Sequence, residues 1–97
     1  MGSTRPVTET ILARARSSPE ARAALISEVL ELIAENDVQT AKSILRNYVV
    51  PAMGWDAVAK ALGREPASIK RMLSDKGNPT MSNMAAILST LKQHNEF

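Results

Sequence analysis

The sequence predicts an all-α bundle of about five to six helices, and three observations carry that prediction. Apolar residues recur at helical spacing along most of the chain, and no stretch shows the alternation of a half-buried strand. Helix starts and stops are spelled out by Ser18-Pro19, Asn36-Asp37, Gly63, Pro66 and Pro79-Thr80. The only aromatics among the 97 residues are Tyr48, Trp55 and Phe97, so the core must be aliphatic.

Residues 1–18 read as an N-terminal arm, partly disordered or a short helix, capped by Thr8 and carrying the stripe Val7, Ile11, Leu12 and Ala15. Ser18, Pro19 and Glu20 then supply an N-cap, a first-turn proline and a first-turn acid for a helix over about 19–35. Its apolar residues Leu25, Ile26, Val29, Leu30, Leu32 and Ile33 span about 160° of the circumference, more than a single neighbour covers. Two explanations stand: burial between two helices of the same chain, or a homodimer interface through Leu25, Ile26, Val29, Leu30 and Ile33. A third helix is expected from Val38 to Val50, with Val38, Ala41, Ile44, Leu45, Tyr48 and Val49 inward and Pro51 and Gly54 ending it. Residues 19–54 thus form a helical dimerisation or support region. A last helix follows Thr80 as cap, with Met81, Met84, Ala85, Ile87, Leu88 and Leu91 as its apolar set, and residues 93–97 form a frayed tail. Met53, Met72, Met81 and Met84 fit the role of gap-fillers in an aliphatic core.

Composition excludes several function classes. There is no cysteine and only one histidine, His94, so disulfides, zinc fingers, thiolate chemistry and a Ser–His triad are not expected. No acid pair or phosphate-binding loop stands out, and an enzyme is not expected; neither is a cofactor or a metal site. No apolar run reaches the length of a membrane span, and the N-terminal stretch fits neither a myristoylation signal, because position 6 is Pro, nor a transit peptide, because of Glu9. A cytoplasmic location is expected. The net charge of +2 is unevenly placed. Lys60, Arg64, Lys70, Arg71 and Lys76 face only Glu65 and Asp75 within residues 60–76, whereas residues 1–54 balance to zero. Local cation clusters of this kind are the electrostatic footprint of nucleic-acid binders.

That cluster coincides with the stretch 55–92, read as a helix-turn-helix region. In WDAVAKALGREPASIKRMLS, Ala57, Val58, Ala61 and Leu62 are expected on one face of a first short helix. Gly63 tolerates the left-handed backbone that ends it, and Pro66 opens a second helix. Small Ala59, Gly63 and branched Ile69 stand at the fifth, ninth and fifteenth positions, the spacing by which two such helices pack closely. On the second helix Met72 and Leu73 lie within about 60° of Ile69, so these three face inward. Ala67, Lys70, Arg71 and Ser74 are left outward, short or basic and without an acid, which suits entry into a major groove. Trp55 is expected to pack beneath the motif. The turn 75–80 follows, because Pro79 pushes Asn78 out of helical geometry.

The run ALGREPASIKRMLSDKGNPTMSNMAAILSTL resembles the C-terminal part of the addiction-module antidote (antitoxin) proteins, whose fold is the λ-repressor-like helix-turn-helix. The most telling pieces are ALGREPASIKRML and the loop KGNPT directly after it. Residues 25–54 are similar in layout, and 1–20 lie outside the resemblance. It implies a λ-repressor-like bundle that binds its own operator as a homodimer, and a partner, a RelE-like ribonuclease toxin. It also gives Lys76 and Asn78 a phosphate-contacting role. The chain departs from the pattern at Arg64, where an aliphatic residue is usual, and at Glu65, where Ser or Thr is usual.

The leading expectation is therefore a sequence-specific regulator that binds double-stranded DNA. Ala67, Lys70, Arg71 and Ser74 would face the bases, Lys60, Lys76, Asn78 and Thr80 would hold the backbone, and Ser68 is a further DNA-binding candidate. The alternative is a protein-interaction module that binds a toxin or another regulator, with weak or no DNA binding.

Overall fold

The computed structural model describes residues 7–95. Those residues form an all-α bundle of six helical runs with no strand among them. The elements are α1 (Val7–Ser17), α2 (Pro19–Ala34), α3 (Val38–Ile44), a π-helical turn (Leu45–Val49) leading directly into α4 (Val50–Met53), α5 (Trp55–Leu62), α6 (Pro66–Met72) and α7 (Met81–Asn95).

The boundaries follow from capping chemistry. Ser18 has extended backbone geometry and its hydroxyl accepts the Ala21 amide at 3.0 Å, starting α2 at Pro19. At the other end Asn36 adopts φ 65°, and the Asp37 and Asn36 amides donate back to the Leu32 and Ile33 carbonyls, a Schellman closure. Asp37 then caps α3 through the Thr40 amide. Thr8, expected as a cap, instead lies inside α1, and residues 1–6 and 96–97 lie outside the described residues.

The third run departs from expectation. The helix does not stop at Val50 but continues through Pro51 to Met53. A proline there has no N–H for the carbonyl four residues back, and its ring clashes with it. The chain widens instead: the Val50 amide donates to the Leu45 carbonyl five residues earlier, so the π-turn absorbs the proline. Gly54, at φ 99°, then makes the break before α5.

The core gathers Ile26, Val29 and Leu32 of α2, Ala41, Leu45, Val49 and Val50 of the third run, Val58 and Ala59 of α5, Ile69 of α6 with Leu73 just beyond it, and Met84, Ile87 and Leu91 of α7. α2 packs against α1, α3 and α7 at once. Its wide apolar arc is therefore covered largely within the chain. Val29 is fully buried and Ile26 nearly so, Leu25 and Ile33 are partly buried against the core, and only Leu30 projects, at 51% exposure.

Other faces shift by part of a turn. On α5 the buried positions are Val58 and Ala59 with Trp55 and Leu62 partly buried, while Ala57 and Ala61 face solvent. Val38 is exposed, and Met81 is 87% exposed rather than filling a gap. Ala85, at the same end of α7, is also exposed.

The N-terminal segment is part of the bundle. Ala15 is fully buried, and the Arg22 guanidinium donates to the Ala15 carbonyl at 2.6 Å and to the Asn95 side chain at 2.7 Å. Asn95 in turn donates to the Pro19 carbonyl at 3.0 Å, so the end of α7 is tied down through its last described residue.

Two glycines in the motif respond differently to an added methyl. Gly63 sits at φ 69° in open space, so Ala there costs about 1–2 kcal/mol of backbone strain alone. A Cβ on Gly77 would collide with the Arg71 and Met72 carbonyls. Gly77→Ala is therefore expected to lower unfolding free energy by about 2–4 kcal/mol, more than Gly63→Ala, in urea titrations of both variants.

Candidate nucleic-acid interface

α5 and α6 are joined by Gly63-Arg64-Glu65 and pack on each other. The Gly63 amide donates to the Lys60 carbonyl at 3.1 Å and the Arg64 amide to the Ala59 carbonyl at 3.0 Å, the two bonds of a Schellman motif. Ala59 is 2% exposed, and its methyl is small enough for α6 to sit close. Pro66 opens α6, and Glu65 precedes it with extended backbone and no capping hydrogen bond from its side chain. A seven-residue helix is far below the length that is stable alone, so tertiary contacts hold it. Ile69 and Leu73 provide them, both fully buried, with Met72 half-buried beside them as expected.

The outer side of α6 carries exposed Ala67, Lys70 and Arg71, with Ser68 half-buried at its edge. Lys60, Lys76 and Asn78 are exposed on the flanking segments. Among the described residues the only ion pair is Arg46–Asp75, at 3.4 Å, so the cations of this face are uncompensated. The Lys70 Nζ stands 5.3 Å from the centre of the Trp55 ring. An exposed cation–π contact contributes about 0.5–1 kcal/mol, small enough for Lys70 to exchange the ring for a phosphate. Trp55 itself is partly buried and packs against the core.

Two expected contact residues are engaged elsewhere. Ser74 lies beyond the end of α6; its hydroxyl donates to the Arg71 carbonyl at 2.8 Å and accepts the Gly77 amide at 3.1 Å. Thr80 accepts the Asn83 amide at 3.0 Å, the N-cap of α7 that the sequence predicts. Arg64, the departure in the turn, donates to the Asn83 side chain at 2.9 Å and so ties the turn to α7.

Sequence reasoning missed the residues that hold this region from behind. Lys42 is 1% exposed, and its ammonium lies on the Asp75 and Gly77 carbonyls. Arg46 donates to the Leu73 carbonyl at 2.7 Å, and Gln39 to the Asp75 carbonyl at 3.1 Å. The signal was present: Lys42 falls three and seven residues before the apolar Leu45 and Val49, at the border where Gln39 and Arg46 continue as a polar row.

Comparison of the chain with protein-family models, curated proteins and solved structures finds no match.

The bonding of Ser74 separates a structural from a contacting role. Ser74→Ala is expected to lower unfolding free energy by about 1 kcal/mol, the loss of its two backbone hydrogen bonds, as measured by urea denaturation.

Proposed function

We propose that this chain is a sequence-specific, dimeric DNA-binding regulator of transcription. In this reading it is the antitoxin of a toxin–antitoxin module, acts in the cytoplasm, represses its own operon and neutralises a RelE-like toxin. The observation that carries the DNA-binding part is the outer side of α6. It is a thin helix bearing exposed Lys70 and Arg71 with small Ala67 beside them, flanked by exposed Lys60 and Lys76, and anchored through buried Ile69 and Leu73. A helix of that width enters a major groove, where arginine pairs with guanine edges and lysines neutralise phosphates. Two copies would read half-sites about 34 Å apart. The antitoxin role and its toxin rest on the resemblance of ALGREPASIKRML and KGNPT to the antidote proteins.

Base reading falls to Arg71, Lys70, Ala67 and Ser68, and backbone contact to Lys60, Lys76 and Asn78. Ser74 and Thr80 act by shaping the segments around them.

A different observation favours a protein-binding surface alongside, or instead of, the DNA face. The exposed large apolar side chains among the described residues, Leu30, Val38 and Met81, border two hollows beside α2 and α7. Leu30 lines one of about 190 Å³ with Ala23, Ile26 and Lys92; Val38 and Met81 line one of about 210 Å³ with Ile33 and Pro79. A second copy or a toxin would cover these positions.

Mobility shifts at several salt concentrations test the DNA face. Arg71→Ala is expected to cost about 1–3 kcal/mol on the preferred site and to relax specificity at one base pair. Lys76→Ala is expected to weaken all duplexes alike and to reduce the salt slope by about one. Unchanged binding in both variants removes the assigned face, and co-purification with a neighbouring gene product without any shift favours the protein-binding reading. Leu30→Glu is expected to leave the helical spectrum intact and to convert a dimer to a monomer in sedimentation; a persistent dimer places the interface away from Leu30.

A further inference from the structure

Lys42 is the buried charged side chain of the described core, at 1% exposure. Removing an ammonium from water is costly unless its hydrogens find strong acceptors. Its Nζ donates to the Gly77 carbonyl at 2.6 Å and lies 3.4 Å from the Asp75 carbonyl. One turn earlier, Gln39 donates to the same Asp75 carbonyl at 3.1 Å. One turn later, Arg46 donates to the Leu73 carbonyl at 2.7 Å and reaches the Asp75 carboxylate at 3.4 Å. Positions 39, 42 and 46 share one helix face. Along it the acceptors are Asp75 for Gln39, Asp75 and Gly77 for Lys42, and Leu73 for Arg46. These carbonyls lie at and beyond the C-terminal end of α6, where helical acceptors go unsatisfied and the negative end of the dipole falls.

We infer that Lys42 is a positioning residue. With Gln39 and Arg46 it fastens the turn 73–77 to the third helical run, and so sets where Lys76 and Asn78 stand beside α6. Lys76 lies between the two residues whose carbonyls Lys42 holds, and its own side chain is left exposed. Gly77 completes the arrangement, because its lack of a side chain lets the turn lie against the Arg71 and Met72 carbonyls. Lys42 thus influences DNA affinity with its charge turned inward, away from any phosphate. That consequence rests on the function proposed above; the fastening of the turn does not.

The test uses the full chain with Lys42→Met, which keeps an unbranched apolar stem one atom shorter and removes the donors. The probes are amide hydrogen exchange and binding to a mixed-sequence DNA duplex across a salt series. Protection of the Gly77 amide, which donates to Ser74, is expected to fall about tenfold, equivalent to one lost charged hydrogen bond, while α2 amides are unchanged. The salt slope is expected to drop by about one, and adding Lys76→Ala is expected to lower it no further. Arg46→Met removes a partly exposed contact on the same comb and gives the same kind of readout at the Ser74 amide, should Lys42→Met fail to fold. Unchanged exchange at the turn, equal acceleration throughout α2 and α5, or slope losses that add would overturn the inference. A wild-type chain that does not bind the duplex, with exchange at Gly77 still accelerated by Lys42→Met, removes the DNA reading and leaves the fastening in place.

Discussion

The carbonyl groups at and beyond the end of α6 are the constraint around which the rest of the molecule is arranged. The carbonyls of Leu73, Asp75 and Gly77 follow the last residue of α6, where no helix continues to pair them, and leaving such groups unpaired beside the core is expensive. The chain answers with donors from one distant face, Gln39, Lys42 and Arg46, and with a local loop in which Ser74 and Gly77 close on each other. The other end of α6 is set by the Gly63 turn, and its inner side by Ile69 and Leu73. Held at both ends and along one side, α6 presents its remaining side to solvent without being free to tilt.

The support for that arrangement runs back through the bundle. The third helical run must be long enough to carry the three donors and still pass Pro51, and the π-turn reconciles the two by inserting one wider turn after Ile44. α2 lies under this run and is covered on its other flanks by α1 and α7. Arg22 and Asn95 close the far end, joining the last turn of α1, the start of α2 and the end of α7 through hydrogen bonds of 2.6–3.0 Å. The N-terminal helix is therefore structural as well as peripheral, which its thin apolar stripe alone understates.

The cations divide by environment rather than by type. Arg22, Lys42 and Arg46 donate to backbone carbonyls inside or between elements. Lys60, Lys70, Arg71 and Lys76 keep their heads in solvent on and around α6. Each inward-turned group replaces hydration with a few short hydrogen bonds, and the outward ones stay exposed. A charge count over residues 1–54 shows a balance of zero and hides that its lysine is in the core.

By itself the sequence determined the all-α class, the positions of most helix ends, and the inner side of α6. These are local properties: Ser18, Asp37, Gly63, Pro66 and Thr80 act through hydrogen bonds or dihedral limits within a few residues, and Ile69 and Leu73 through helical periodicity. The tertiary structure alone decided which side of α5 is buried, that α2 is largely covered by its own chain, and that Ser74 bonds its own turn. It also decided that Lys42 faces Asp75 and Gly77, residues 33 and 35 positions away along the chain. Periodicity gives a face but not its neighbour, and a hydrogen bond between remote residues exists only after the helices have packed.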